Sequence, residues 1–266
     1  MKRCEKCFGE YDESIAAGVC PFCGYIQGEQ QDDPRYLPIG SILHDRYIIG
    51  GVVGAGGFGI TYKAWDNKYN ICKAIKEYFQ QGVVNRIPGD TDVFVAAPKR
   101  QAEFEYGKER LIEEARIVAK FQSPSIVRVD DFFEENGTSY MVMEFLDYET
   151  MEDFLIHQKR PLTEDEAVNI GVRLCEALDE IHHAGVIHRD ISPDNIFVGK
   201  DGSVKIIDFG SARLSKEDTD SRLIVLKPGY APPEQYEKID PENDLQQAWT
   251  DIYALGATLY VAVTGK

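Results

Sequence analysis

Long apolar runs are missing from this chain. No stretch of its 266 residues approaches the ~18 consecutive apolar residues of a membrane-spanning helix, so no span is expected within 1–266; one beyond residue 266 stays open. The opening MKRCEKC lacks the apolar core of a secretory signal, and a cytoplasmic location is the expectation. Positive charge is scarce: 29 Lys and Arg stand against 45 Asp and Glu, a net charge of −16. That balance argues against nucleic acid or an anionic membrane as a partner. The acidic surplus is scattered (Asp32, Glu134, Glu135, Asp240, Glu242) and forms no tail, as on a solvated surface. Cysteine is sparse as well, six in all, and in a reducing compartment such residues read first as metal ligands or buried thiols. What is present, 43% apolar and 28% charged residues, is ordinary for a soluble globular protein with one large domain or two smaller ones.

Four of the six cysteines fall in the first thirty residues. CEKC and CPFCG place Cys4, Cys7, Cys20 and Cys23 as two C-x2-C pairs separated by twelve residues. Each pair offers two thiolates from one turn, and four thiolates saturate a tetrahedral Zn(II) with no open position, which makes a structural site. Gly9 and Gly24 suit the tight turns that follow each pair. Two disulfides or four unrelated thiols are the alternatives. So short a unit buries little, so the metal would be its core. The pattern resembles a zinc ribbon over 1–28, and a protein partner for it stays unidentified. Cys72 and Cys175 lie in apolar patterns and are read as buried thiols. Residues 29–46, polar with two prolines, read as a linker.

The stretch RYIIGGVVGAGGFGITYKAWD carries Gly54, Gly56, Gly57 and Gly59 between two β-branched runs. A G-x-G-x-x-G alone is weak, because dinucleotide-binding folds share it. There, however, the last Gly opens a helix, whereas ITYKAW continues as a strand. A strand–loop–strand hairpin can lay its bare backbone over phosphates. ICKAIKEYF follows, with Ala74 and Lys76 in an A-I-K pattern seventeen residues after Gly59; Lys73 does not keep that spacing. Beyond a long polar connection, ERLIEEARIVAKF has helical periodicity, with Leu111, Ile112, Ala115, Val118 and Ala119 on one side. SIVRVDDFFEENGTSYMVMEFL reads as two strands joined by a turn at ENGT.

PLTEDEAVNIGVRLCEALDEIHHAG reads as a helix with a capping box of Thr163 and Glu166, an apolar face of Ala167, Ile170, Leu174, Ala177, Leu178 and Ile181, and a stop at Gly185. His182 and His183 near its end are read as structural. After it come HRDISPDN with Asp190 and Asn195, KIIDFGSAR with Asp208, Phe209 and Gly210, PGYAPPEQY with Pro233 and Glu234, and WTDIYALG with Asp251.

Six motifs in this order over 47–266 resemble the eukaryotic-type protein kinase family. KEYF, HRDISPDN and LKPGYAPPEQY together look like a bacterial serine/threonine subgroup that often carries zinc ribbons. The resemblance implies an α+β, two-lobed protein kinase fold preceded by the small ribbon, with an N-lobe over about 47–145 and a partial, truncated C-lobe over about 146–266. It implies ATP, Mg(II) and transfer of the γ-phosphoryl group to a Ser or Thr hydroxyl of a protein substrate. Gly54, Gly56, Gly57 and Gly59 would cover the phosphates and Lys76 would bind them. Glu114 would pair with Lys76, Glu113 being the alternative. Ala74, Glu144 and Leu146 would border adenine, with Met143 at the gatekeeper position. Asp190 would take the hydroxyl proton, and Asn195 and Asp208 would hold Mg(II). Asp251 would anchor the catalytic loop.

Three departures stand out. Thr61 replaces a near-isosteric Val above adenine. Ser192 replaces the catalytic-loop Lys, whose charge serves the transferred phosphoryl group. Lys227 stands where the family has Thr, seven residues before Glu234. The two residue types look exchanged, and Lys227 is expected to reach Asp190 and the phosphoryl site from the opposite side. Arg189 could bind a phosphate on the activation segment, with Ser215, Thr219 and Ser221 as sites. The ending YVAVTGK leaves Glu234 without the Arg it pairs with in the family, so a fragment of a longer protein with exposed apolar surface is expected. A nucleotide-binding pseudokinase scaffold and a small-molecule kinase are the competing readings.

Overall fold

Alternation builds the sheet of the N-terminal half. In GITYKAWD the side chains of Ile60, Tyr62, Ala64 and Asp66 all turn to the buried face, the period-two pattern of a strand packed on one side. The computed structural model describes residues 1–12, 18–29, 31–199, 201–214, 226–236 and 246–265. The chain divides into two units, Met1–Ala119 with Val129–Leu146, and Lys120–Arg128 with Asp147–Lys266.

The first unit begins with two short paired strands, β1 (Lys2–Arg3) and β2 (Glu10–Tyr11). Then come β3 (Ile42–Leu43), β4 (Tyr47–Ala55), β5 (Gly59–Asp66) and β6 (Ile71–Tyr78). A hairpin of β7 (Val84–Arg86) and β8 (Val93–Val95) precedes helix α1 (Gln101–Val118), and β9 (Val129–Glu135) and β10 (Thr138–Glu144) close the unit. The main sheet is antiparallel, in the order β3-β4-β5-β6-β10-β9. The expected ENGT turn joins β9 to β10 with Asn136 and Gly137 both at positive φ, as a two-residue hairpin turn requires. Helix α1 buries Phe104, Leu111, Ile112, Ala115 and Val118, while Ala119, expected on that face, lies just past the helix and is exposed.

Two features of this unit depart from expectation. The stretch read as a linker is packed: Leu37 is fully buried, its N–H donates to Tyr62 Oη at 3.1 Å, and Ile42–Leu43 pairs with β4. The polar connection after β6 brings Arg86 back to Glu77 of that strand as a fully buried ion pair. Tyr62 and Tyr140 each donate a hydroxyl to Glu77, at 2.9 and 2.8 Å, so the buried charge is satisfied on several sides.

The cysteine unit is docked on this sheet. The carbonyl of Lys6, between Cys4 and Cys7, accepts the N–H of Gly51 on β4 at 2.8 Å. A Cβ at Gly50 would lie 2.5 Å from that carbonyl oxygen and 2.7 Å from the Phe8 ring, so only glycine allows the approach. Phe8 packs on Trp65 at 5.9 Å, and the Arg3 guanidinium covers the Trp65 ring at 3.8 Å.

The second unit holds β11 (Glu149–Thr150), α2 (Met151–Gln158), α3 (Glu164–His183), β12 (Val186–Ile187), β13 (Ile196–Val198), β14 (Val204–Ile206), β15 (Arg213–Leu214), the short α4 (Pro233–Tyr236) and α5 (Ala248–Thr264). Its strands form two small sheets, β11-β13-β14 and β12-β15. Helix α3 has the expected capping box of Thr163 and Glu166 and buries Ile170, Leu174, Ala177, Leu178 and Ile181. The outer faces of α3 and α5 leave Val168, Val172, Ile252 and Tyr260 exposed. Cys175 is exposed on α3 and Cys72 is half-buried, so neither is a core thiol. Period 3.6 places Cys175 one residue past the buried Leu174, toward the polar side. Among the described residues, no helix is long and apolar enough to cross a membrane.

Candidate active site

The glycine-rich stretch forms the β4–β5 turn. Irregular register near Ile49, Val52 and Gly54 loosens the ladder before it. Gly56 N–H closes the turn on the Gly59 carbonyl at 2.9 Å, and the turn is tied to the end of β6 by Phe79 N–H to Phe58 O and Gln81 N–H to Gly57 O. A Cβ at Gly54, Gly56 or Gly57 would meet nothing within 4 Å. The protein's own packing therefore does not require glycine there; a bare backbone suits the approach of a ligand. Gly59 differs, because its Cβ would lie 2.8 Å from the Glu77 carbonyl of the neighbouring strand.

Strand β6 sorts its lysines by face. Lys73 is buried beside Ile75 and Glu77 and pairs with Asp130 at 2.7 Å. Lys76, on the other face with Ala74, places Nζ 3.2 Å from Glu114 Oε1 of α1. Glu114 is buried; Glu113 is exposed and pairs with Arg110 at 3.0 Å. Of the two candidates, Glu114 is the one brought to Lys76. Opposite them on the sheet, Met143 is in register with Ala74 and Glu144 with Lys73, and the unit ends at Leu146.

In the second unit, the loop between β12 and β13 is held from helix α5. Asp251 is fully buried and accepts the backbone N–H of His188 at 2.9 Å and of Arg189 at 2.7 Å. His182 Nε2 also reaches Asp251, at 2.7 Å. This histidine at the end of α3 thus ties α3 to α5; nothing in the local sequence distinguishes it from His183, which is exposed. Arg189 and Asp208 sit at positive φ, +66° and +58°, where a non-glycine backbone is held at a cost of about 1–3 kcal/mol. Phe209 is buried against His188 and Phe121. The Arg189 guanidinium donates to the Ser211 carbonyl at 2.6 Å.

Asp190, Asn195 and Asp208 belong to this unit. Asn195 Nδ2 donates to Asp190 Oδ2 at 2.8 Å and to the Asp190 carbonyl at 2.9 Å. The Asn195 nitrogen is thus committed, and its side-chain oxygen remains to be offered. Asp190 Oδ1 is buried without a hydrogen-bond partner. Burial pushes the Asp190 carboxyl above its ordinary range, against the charges of His188 and Lys227 and the bond from Asn195. Burial likewise lowers the His188 pKa. The Asn195 amide oxygen and the exposed Asp208 carboxylate are hard donors of the kind that suit Mg(II).

Lys227, expected to reach Asp190, lies against Ser192 and Asp194. Lys227 Nζ donates to Ser192 Oγ at 3.0 Å and forms an ion pair with Asp194, rather than bonding to Asp190 itself. Ser192 Oγ in turn donates to Asp194 Oδ1 at 2.7 Å. Asp194 was not singled out by its sequence. Glu234, expected to lack its Arg partner, accepts from Thr250 Oγ1 at 2.9 Å, and Gln235 donates to the Arg189 carbonyl at 2.9 Å. Ser215, Thr219 and Ser221 lie outside the described residues.

The sulfurs of Cys4, Cys7, Cys20 and Cys23 all lie within 4.8 Å of one another. Two of the separations, Cys4 to Cys23 and Cys7 to Cys20, are 3.7 Å, close to the ~3.8 Å edge of a tetrahedron with Zn–S bonds of about 2.3 Å. Backbone N–H groups of Lys6 and Cys7 point at Cys4 Sγ. Burial raises the Cys7 thiol to about 12, whereas N–H donors from Phe22 and Cys23 outweigh burial at Cys20 and bring it to about 7. A tetrad that includes one easily ionised thiol fits a metal of zinc's softness. The turns differ from expectation in one detail. The left-handed residues are Phe8 and Gly24, while a Cβ at Gly9 would lie 2.6 Å from the Phe22 ring.

A model of the protein kinase domain matches residues 47–266. A probable serine/threonine-protein kinase of Clostridium perfringens is 32% identical over 85% of this chain and 30% of its own length. The serine/threonine-protein kinase PknB of Mycobacterium leprae is 32% identical over 84% of this chain and 33% of its own. The chain thus spans about a third of the length of the curated relatives it matches. The solved structure described as PpkA-294 in its apo form aligns with a TM-score of 0.75 at 34% identity, covering 87% of this chain and 80% of that one.

Proposed function

This chain belongs to the protein kinase family, and from that premise we propose that it transfers the γ-phosphoryl group of ATP to Ser or Thr hydroxyls of protein substrates. The observation that carries the reading is the buried, unpartnered Oδ1 of Asp190 beside Asn195. A carboxylate kept desolvated and oriented by an amide is poised to take a proton from a hydroxyl.

Each unit contributes its own part. In the first, the exposed glycine turn would lay its backbone on the phosphates, and Lys76, held by Glu114, would bind them. Backbone groups of Glu144 and Leu146 would hold adenine, beside Ala74 and Met143. In the second, Asp190 would orient the acceptor hydroxyl and receive its proton. Asn195 and Asp208 would hold Mg(II), which would supply positive charge to the phosphates. Asp251 supports the loop through two backbone N–H groups.

The cysteine tetrad would hold one structural Zn(II). Among the described residues all six cysteines are free of disulfides, which fits a reducing compartment such as the cytoplasm. The deciding experiment is transfer from radiolabelled ATP to a generic protein acceptor, with Asp190→Asn as control. Label that appears with the native chain and not with the variant supports the reading; equal label, or nucleotide binding without transfer, supports a scaffold.

A further inference from the structure

Ser192 and Lys227 are 35 residues apart and in hydrogen-bond contact. Ser192 is fully buried, two residues after Asp190 and three before Asn195. An ammonium resting on its Oγ therefore stands at the loop that carries both. Asp194 completes the set: its Oδ1 accepts from both Lys227 Nζ and Ser192 Oγ. Lys227 is fixed from its own side as well, since its carbonyl accepts the N–H groups of Tyr230 and Ala231 at 3.1 and 3.0 Å. An ammonium has three donors. Ser192 and Asp194 take two, and the side chain keeps 28% of its surface exposed, so a further acceptor can reach it.

We propose that Lys227 is the cation of the transfer site, standing on Ser192 and Asp194 and neutralising charge on the phosphoryl group as it moves. The inference rests on the phosphotransfer reading above. In the step it serves, the acceptor oxygen bonds to the γ-phosphorus and the bond from that phosphorus to the bridging oxygen breaks. ADP leaves with the electron pair, and the hydroxyl proton passes to Asp190. Lys227 keeps its own proton throughout and contributes charge alone. The charge reaches the loop of Asp190 and Asn195 from the segment that follows Asp208.

The test is an exchange. Lys227→Ala and Lys227→Thr are expected to lower kcat by about 10²–10³-fold, the usual loss for one preorganised charge-stabilising donor, with a smaller rise in KM for ATP. Lys227→Arg keeps most of the activity. The double variant Ser192→Lys with Lys227→Thr is expected to regain at least about tenfold over Lys227→Thr alone, some 1.4 kcal/mol of barrier. Melting curves identify the variants that fold as the native chain does. Native turnover in Lys227→Ala overturns the proposal, as does a folded double variant that stays at the Lys227→Thr level. If the native chain shows no Asp190-dependent transfer, the phosphotransfer reading fails by itself, and binding decides Lys227. Its charge should favour ATP over ADP, and Lys227→Ala, but not Lys227→Arg, should lose that preference; an unchanged ratio overturns the proposal.

Discussion

Arg189, held at a φ of +66°, donates its backbone N–H to Asp251 Oδ1 at 2.7 Å. The other carboxylate oxygen takes the N–H of His188 and the ring of His182. A single buried side chain on α5 thus satisfies two loop N–H groups and stabilises a backbone conformation that an arginine rarely adopts.

Asp251→Ala leaves those two donors buried and unpaired, at ~1–3 kcal/mol each. Chemical denaturation should show that loss in full, and Asp190-dependent transfer should fall with it. Asp251→Asn keeps one acceptor oxygen and should lose less on both measures.

The two neighbouring glutamates of α1 should separate cleanly. Glu114→Gln removes the charged partner of Lys76, 3.2 Å away. It should lower kcat/KM roughly 10- to 100-fold, the equivalent of a charge-assisted bond of about 1.5–3 kcal/mol. Glu113→Gln removes an exposed contact with Arg110 and should leave kcat/KM and stability within error of native, because exposed pairs contribute little.

Asp190 should trade stability for function. Burial raises its folded pKa, so the folded state binds the proton more tightly than the unfolded chain does. Ionisation above the folded pKa then costs stability. Asp190→Asn should be more stable than the native chain at neutral pH. The difference should shrink as pH falls through the folded pKa and vanish below the unfolded one, which denaturation at several pH values reads directly. For the same reason, the acid limb of kcat/KM should lie above the ~3.9 of an ordinary aspartate.

Metal analysis should find a single zinc per chain, released when the thiols are titrated with a mercurial and lost in Cys20→Ser. Chelation should lower the melting temperature of the whole first unit, because Lys6 O and Phe8 of the cysteine unit contact Gly51 and Trp65 of the sheet. Melting that is indifferent to chelation would count against a structural metal.

The chemical groups were easier to read from the sequence than the packing that supports them. Asp190, Asn195, Asp208 and the glycine turn announce themselves because their spacing serves a ligand, and Lys76 because strand period separates it from Lys73. The choice between Glu113 and Glu114 needed the helix phase against β6, which no local pattern supplies. Arg86 was illegible for a different reason. Its partner Glu77 and the hydroxyls of Tyr62 and Tyr140 meet it only after the sheet forms, and an arginine in a polar stretch otherwise reads as surface. Residues 29–46 misled because single apolar anchors such as Leu37 carry the contact, and composition averages them away. Lys227 was visible as an oddity of type, while its hold on Asp194 was not.

Gly50 and Gly51 bear on where a gene can be cut. The family match begins at Tyr47, and a truncation there would look natural. It would strip the acceptor from Gly51 N–H, uncover the Trp65 ring and the Tyr62 hydroxyl, and remove Leu37 from the interior. A chain cut at Tyr47 should therefore melt below the native one: the boundary set by contacts lies ahead of the one set by resemblance.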